Sequence, residues 1–184
     1  MDLSKLSEPL AIEQVDFRIQ SISAKGWATV LAYKDARVDM DRLDAVCGRG
    51  FWQRKHDLID GQLFCSVGIW NPGINQWIWV QDVGTESQTE AEKGRASDSF
   101  KRACFNLGIG RELYAYPLIL VQLEQDEYTV EGNRGRATWN LRLRDWRWHM
   151  ERDEAGITRL AARDNKGKIR FDYKRDKNGF EKSK

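Results

Sequence analysis

Histidine and cysteine are scarce in this 184-residue chain, and those present stand too far apart to act together. The two histidines, His56 and His149, are 93 positions apart and no cysteines have CxxC spacing, so a zinc site fails on ligand count. The three cysteines, Cys47, Cys65 and Cys104, are odd in number and scattered, which argues for reduced, mostly buried thiols rather than a disulfide framework. No GxxxxGK[ST] phosphate loop is present, which removes an ATP-driven recombinase or helicase motor. Serine-hydrolase, HExxH and kinase signatures are missing too, so neither a cofactor nor an enzyme's catalytic centre is expected. No apolar run approaches the roughly 20 residues that cross a bilayer, and the first residues have neither the basic start nor the apolar stretch of a signal peptide. A cytoplasmic protein with no membrane partner is expected.

A large charge of one sign is also lacking, the net being +2, but its distribution is uneven. From Arg134 onward there are 16 Lys and Arg against 8 Asp and Glu, whereas residues 1–133 hold 14 against 20. The expected organisation is therefore a core domain over 1–133 followed by a basic, β-rich extension over 134–184 whose last residues are disordered. Eight tryptophans are the other unusual count. Each is read first as core or subunit packing, and second as a platform for a base.

The stretch from Asp82 to Gly110 is the most informative. Thr85 and Ser87 are followed three residues later by Gln88 and Glu90, the spacing of a capping box, so a helix over 88–107 is predicted. At 100° per residue Ala96, Phe100, Ala103, Cys104 and Leu107 share one face, the stripe of a helix packed on a sheet, and Gly108 ends it. Opposite them fall Arg95, Asp98, Lys101, Arg102 and Phe105. That face reads either as a solvated helix laced by ion pairs or as a cationic strip for phosphates, with Phe105 stacking a base or packing on a second subunit.

Upstream, Val15–Ile22 and Trp27–Tyr33 read as strands and Ala36–Val46 as a helix. Phe51–Ile59, Gln62–Trp70 and Trp77–Val83 form a three-stranded meander, turned at Asp60-Gly61 and at Asn71-Pro72-Gly73. Within it Arg54, Lys55 and His56 form a basic run that fits equally a charge-guarded edge strand and a phosphate-contacting surface. Downstream, Leu141 and Leu143 alternate with Arg142 and Arg144 before Trp146 and Trp148, which reads as a strand with its arginines in solvent or as a further nucleic-acid surface. Residues 157–162 and 168–173 flank a hairpin turn at Asp164–Gly167. The expected class is α+β: a β-β-β-α core, the meander followed by one packed helix, with additional N- and C-terminal strands.

This order of elements, with Asp82-Val83-Gly84, Ser97-Asp98, Phe100-Lys101-Arg102-Ala103 and Gly108, resembles the Rad-fifty-two superfamily of single-strand annealing proteins over roughly 38–113, in a phage or prophage form. The resemblance implies an oligomeric ring whose groove holds single-stranded DNA, active in recombination and repair without ATP, in the cytoplasm of a bacterial host. Partners implied with it are a phage exonuclease, a host single-strand-binding protein or a host recombinase. Lys101 and Arg102 are the implied phosphate contacts, with Lys93 and Arg95 on the same helix and Arg54, Lys55 and His56 on the strand along the groove. The chain departs from the family at Phe105, where a further arginine is usual, and at Glu90 and Glu92, where cations are. The competing readings are a metal-dependent nuclease using Asp57, Asp60, Asp82 and Glu86, and a single-strand-binding module that does not anneal.

Overall fold

The computed structural model describes residues 1–84, 91–175 and 181–183, with side-chain surroundings for 1–84 and 94–175. In chain order the elements are β1 (Asp16–Ser23), β2 (Trp27–Tyr33), α1 (Ala36–Cys47), β3 (Trp52–Ile59), β4 (Gln62–Asn71), β5 (Gln76–Val83), α2 (Ala91–Asn106), β6 (Ile119–Gln122), β7 (Tyr128–Glu131), β8 (Arg134–Ala137), β9 (Arg147–Asp153), β10 (Gly156–Arg163), β11 (Ile169–Arg175) and β12 (Glu181–Ser183). They fall into two compact units, residues 1–10 with 34–112 and residues 11–33 with 113–184.

The first unit is built on the antiparallel sheet β3-β4-β5. Asp60 and Gly61, with φ of 49° and 75°, take the two left-handed positions that a two-residue hairpin turn of matching twist requires. On one face of β4, Cys65, Val67 and Ile69 are covered by Phe100, Ala103 and Cys104 of α2, and Leu43 and Cys47 of α1 close the same core. The three cysteines are free and buried, and burial pushes the Cys65 thiol up to about 11. Helix α1 begins at Asp35, whose carboxylate accepts from the Arg37 backbone N–H at 2.9 Å, and ends at Gly48 with φ of 88°. The capping-box residues Thr85, Ser87, Gln88 and Glu90 lie outside the described residues.

A buried ion pair, Lys34 with Asp39, ties the entry of α1 into this core, the side chains being 1% and 0% exposed. The Lys34 ammonium also stands over the Phe105 ring, 4.5 Å from its centroid. Burial pushes the Asp39 carboxyl up to about 6 in spite of the ammonium beside it, and pushes Lys34 below its ordinary value. In both groups desolvation therefore outweighs attraction, the balance expected of a pair taken out of water.

The second unit holds two antiparallel sheets, ordered β6-β2-β1-β8-β7 and β12-β11-β10-β9. Ile22, Val30, Ile119 and Val121 of the first sheet and Leu160, Ala162 and Phe171 of the second share one core. At its margin Glu127 accepts two hydrogen bonds from Arg170, at 2.9 and 2.6 Å, while the guanidinium lies over Trp146 at 4.5 Å.

The expected α+β class, a β-β-β-α core with one packed helix and strands added at both ends, does not hold. The protein is mostly β, with strands in three antiparallel sheets and two α-helices among the described residues. The terminal strands do not extend the meander: β1 and β2 pair with each other and are completed by β8 and β6 from much later in the chain. The strand expected through residues 141–148 is also corrected. Leu143–Asp145 is a 3₁₀ turn, β9 starts only at Arg147, Trp146 is buried, and Trp148 stacks on Phe17 with centroids 3.6 Å apart.

The desolvated pair makes a stability prediction. Lys34→Met leaves the Asp39 carboxylate buried without its counter-charge and is expected to lower stability by about 3–5 kcal/mol, whereas Lys34→Met with Asp39→Leu recovers most of the loss. Denaturant unfolding of the two variants checks this, a double variant no better than the single one being the contrary result.

Candidate nucleic-acid interface

Helix α2 lies over β4 and β5, and Gly84 lets the end of β5 touch it. A Cβ at Gly84 would stand 2.3 Å from the Arg95 carbonyl oxygen, so only glycine permits this approach. From that contact the helical repeat fixes where each cation goes. Lys101 and Arg102, adjacent in sequence, are about 100° apart on the helix and diverge. The Arg102 Nε lies 3.3 Å from Asp82 Oδ1 on β5, the two side chains being 37% and 24% exposed. Asn106 joins the same carboxylate at 3.5 Å and donates to the Gln81 carbonyl at 3.2 Å. Lys101, half-buried, lies on the side of α1, where its charge helps hold the Asp35 carboxyl below its ordinary value behind the larger effect of Arg37.

Strand β3 is an edge of the sheet, and its basic run is divided by the pleat. Arg54 and His56 are on the helix side. The Arg54 guanidinium covers the Phe100 ring at 4.5 Å, and His56 Nε2 is 3.1 Å from the Ala96 carbonyl oxygen of α2. Trp52, ahead of them, stacks on Phe100 and donates from Nε1 to Asp44 of α1 at 2.7 Å. Lys55 is on the opposite face, 3.4 Å from Asp57 and 5.8 Å from the centre of the Trp79 ring. Arg54 is exposed, as are Lys55 and His56, and among the described residues no carboxylate pairs with it.

The remaining expected residues are spread over both units. Arg95 is half-buried, and the Lys93 side chain lies outside the described residues. Phe105 is half-buried with Lys34 on its ring, and its carbonyl oxygen accepts from Arg111 at 3.1 and 2.7 Å, which satisfies the last turn of α2. Arg142 and Arg144 belong to the second unit. Arg142 lines a cavity of about 550 Å³ with Trp139, Lys166 and Lys168, where Glu124, Asp126, Glu127 and Asp164 balance the cations. Arg144 is exposed, 3.7 Å from Asp145.

The carboxylates of the nuclease reading are dispersed. Asp57 faces Lys55, Asp82 is held by Arg102 and Asn106, Asp60 is spent on the hairpin, and Glu86 lies outside the described residues. Among the described residues no three His, Cys, Asp or Glu gather to hold a metal ion, and no helix is long and apolar enough to cross a membrane. One feature escaped sequence reasoning: the pairing of Gly68 with Trp79 across β4 and β5, which becomes visible only once the register is known.

Two curated relatives emerge from comparison with known proteins. The chain is 32% identical over 118 residues to the single-stranded DNA-binding protein DdrA of Deinococcus radiodurans, covering 61% of this chain and 54% of that protein. It is 35% identical over 97 residues to the single-stranded DNA-binding protein DdrA of Deinococcus deserti, covering 49% and 44% respectively. No family model matches, and neither does any solved structure. The chain spans about half the length of the curated relatives it matches.

Proposed function

We propose that this protein binds single-stranded DNA through β3 and α2 of its first unit and, as an oligomeric ring, brings complementary strands together in recombinational DNA repair without hydrolysing ATP. The observation that carries this reading is Arg54, an exposed guanidinium 4.5 Å from the centre of the Phe100 ring that no carboxylate pairs with among the described residues, and whose N–H groups suit a phosphate. Lys101, Arg102 and His56 are the further contacts along the helix side, and the names of the two DdrA relatives support the same ligand. Membership of the Rad-fifty-two superfamily is part of the proposal; a phage origin is not, both relatives being bacterial.

The chemistry of annealing needs no catalytic group. Two complementary strands repel through their phosphates, and bound cations reduce that repulsion while releasing counterions. A ring would repeat each modest contact along one strand, so that affinity accumulates by multivalency. The test is duplex formation between complementary oligonucleotides in EDTA without ATP. Pairing faster than the spontaneous rate is expected, and a rate no faster, or strand cleavage when Mg²⁺ is added, overturns the proposal.

Two sets of variants locate the contacts. Arg54→Ala, and separately Lys101→Ala with Arg102→Ala, are expected to weaken single-strand binding and to flatten its dependence on salt by about one unit of slope for each phosphate no longer neutralised, at unchanged melting temperature and oligomer size. Equal affinity and slope in all variants is the contrary result. Asp82→Asn removes the carboxylate that neutralises Arg102 and is expected to tighten single-strand binding several-fold, read by the same titration.

A further inference from the structure

The face of the β3-β4-β5 sheet turned away from α2 carries an arrangement that the cationic helix side does not explain. Trp79 of β5 is paired in register with Gly68 of β4. A Cβ built on Gly68 would lie 2.9–3.0 Å from three atoms of the Trp79 six-membered ring, so the indole rests flat against the bare backbone of β4. Any side chain at 68 would tilt it off. One ring face is thus seated on the sheet, while Trp79 remains 43% exposed. Trp77, its neighbour on the strand, is tilted 38° to it with centroids 6.1 Å apart, and Trp70 meets Trp77 edge-on at 5.5 Å. Those two rings face each other across β4 and β5, whereas Trp79 lies over a glycine.

Around it the side chains are of three kinds. The Lys55 ammonium reaches over from β3, 5.8 Å from the ring centre. Gln81 donates one amide hydrogen to Ser66 Oγ at 2.9 Å, which fixes the carboxamide and leaves its second N–H and its carbonyl oxygen without partners among the described residues. Lys55, Ser66, Trp79, Val80 and Gln81 together line a shallow pocket of about 380 Å³. A flat aromatic surface, an anchored amide and a cation a few ångströms away are the groups that receive a nucleobase, its hydrogen-bonding edge and the adjoining phosphate.

We propose that this face is a base-stacking platform: one nucleobase of a bound single strand lies on Trp79, its edge meets the Gln81 amide, and Lys55 takes the next phosphate. The platform rests on the single-strand reading above and adds to it a contact with bases where the helix side contacts only the backbone. A fold in which the strand crosses the β3 edge, from Arg54 and His56 on one face to Lys55 on the other, requires only the alternation of consecutive side chains across the pleat.

The experiment compares binding of the full chain to an oligothymidine strand and to a strand of the same length and charge built of abasic sites. Wild type is expected to prefer the base-bearing strand by roughly tenfold, the size of one base–aromatic stack. Trp79→Ala is expected to erase that preference and leave abasic binding unchanged, Trp79→Phe to restore part of it, and Lys55→Gln to weaken both strands alike. Melting curves confirm that each variant is folded. If Trp79→Ala and Trp79→Phe keep the wild-type preference, the platform is overturned while the single-strand reading stands. Loss of both strands together with a change in oligomer size makes the face a contact between copies and overturns the platform as well. Wild type that binds neither strand overturns the single-strand reading itself, and the platform with it.

Discussion

Burial of one face of β4 under α2 is the constraint on which the first unit depends. Cys65, Val67 and Ile69 are at most 3% exposed, as are Phe100, Ala103 and Cys104 above them. At about 1.5–3 kcal/mol for each large apolar side chain removed from water, this contact outweighs every surface charge pair in the unit, whose members contribute about 1 kcal/mol or less. The apolar face therefore sets the register, and the charged residues follow it. With period two, fixing Val67 against the helix sends Arg54, its partner on β3, to the helix side and Lys55 to the other. A slip of one residue would exchange every cation and every tryptophan between the two faces.

The same logic separates what the sequence places side by side. Lys101 and Arg102 read as a single doubly charged spot, yet a step of 100° between residues directs them toward different neighbours: α1 on one side, Asp82 of β5 on the other. On the proposed reading, a strand bound along the helix would therefore meet them as two separate contacts. Arg54 comes from a different element, and the register that pairs it with Val67 brings its guanidinium over the Phe100 ring of α2.

Local chemistry was legible in the sequence wherever a short rule applies. Asp60-Gly61 made the hairpin because both residues tolerate positive φ, and the apolar stripe of residues 96–107 turned to the sheet with Phe100, Ala103 and Cys104 fully buried. The grouping of strands was not legible, because β1 and β2 are completed by β8 and β6, and no local pattern records a pairing partner that distant in the chain. The run from Leu141 to Arg144 failed for another reason: two alternations fit a 3₁₀ turn as well as a strand, and the burial of Leu143 alone cannot tell them apart. Lys34 also escaped notice. A lysine before a helix is ordinarily solvated, and only the fold reveals that Asp39, Cys104 and Phe105 enclose it. For the candidate site, sequence supplied the cations but not their partners, and Trp79 could not be told from a core tryptophan until its opposite number proved to be Gly68.

The pairing of Arg102 with Asp82 bears on how such a surface behaves when empty. The two groups are 3.3 Å apart and both reach solvent, so the pair is worth at most about 1 kcal/mol and is screened by salt. A phosphate arriving at Arg102 brings a charge-assisted contact of similar or greater strength and releases counterions from the strand, so exchange of one anion for the other is downhill. On the proposed reading Asp82, held by Asn106, stays near the bound strand, where its charge would oppose the incoming phosphates and lower affinity without closing the site. For a protein proposed to pair two strands and then let the duplex go, a cation neutralised between encounters is an advantage, since contacts held too tightly would slow the search for register and the release that follows it.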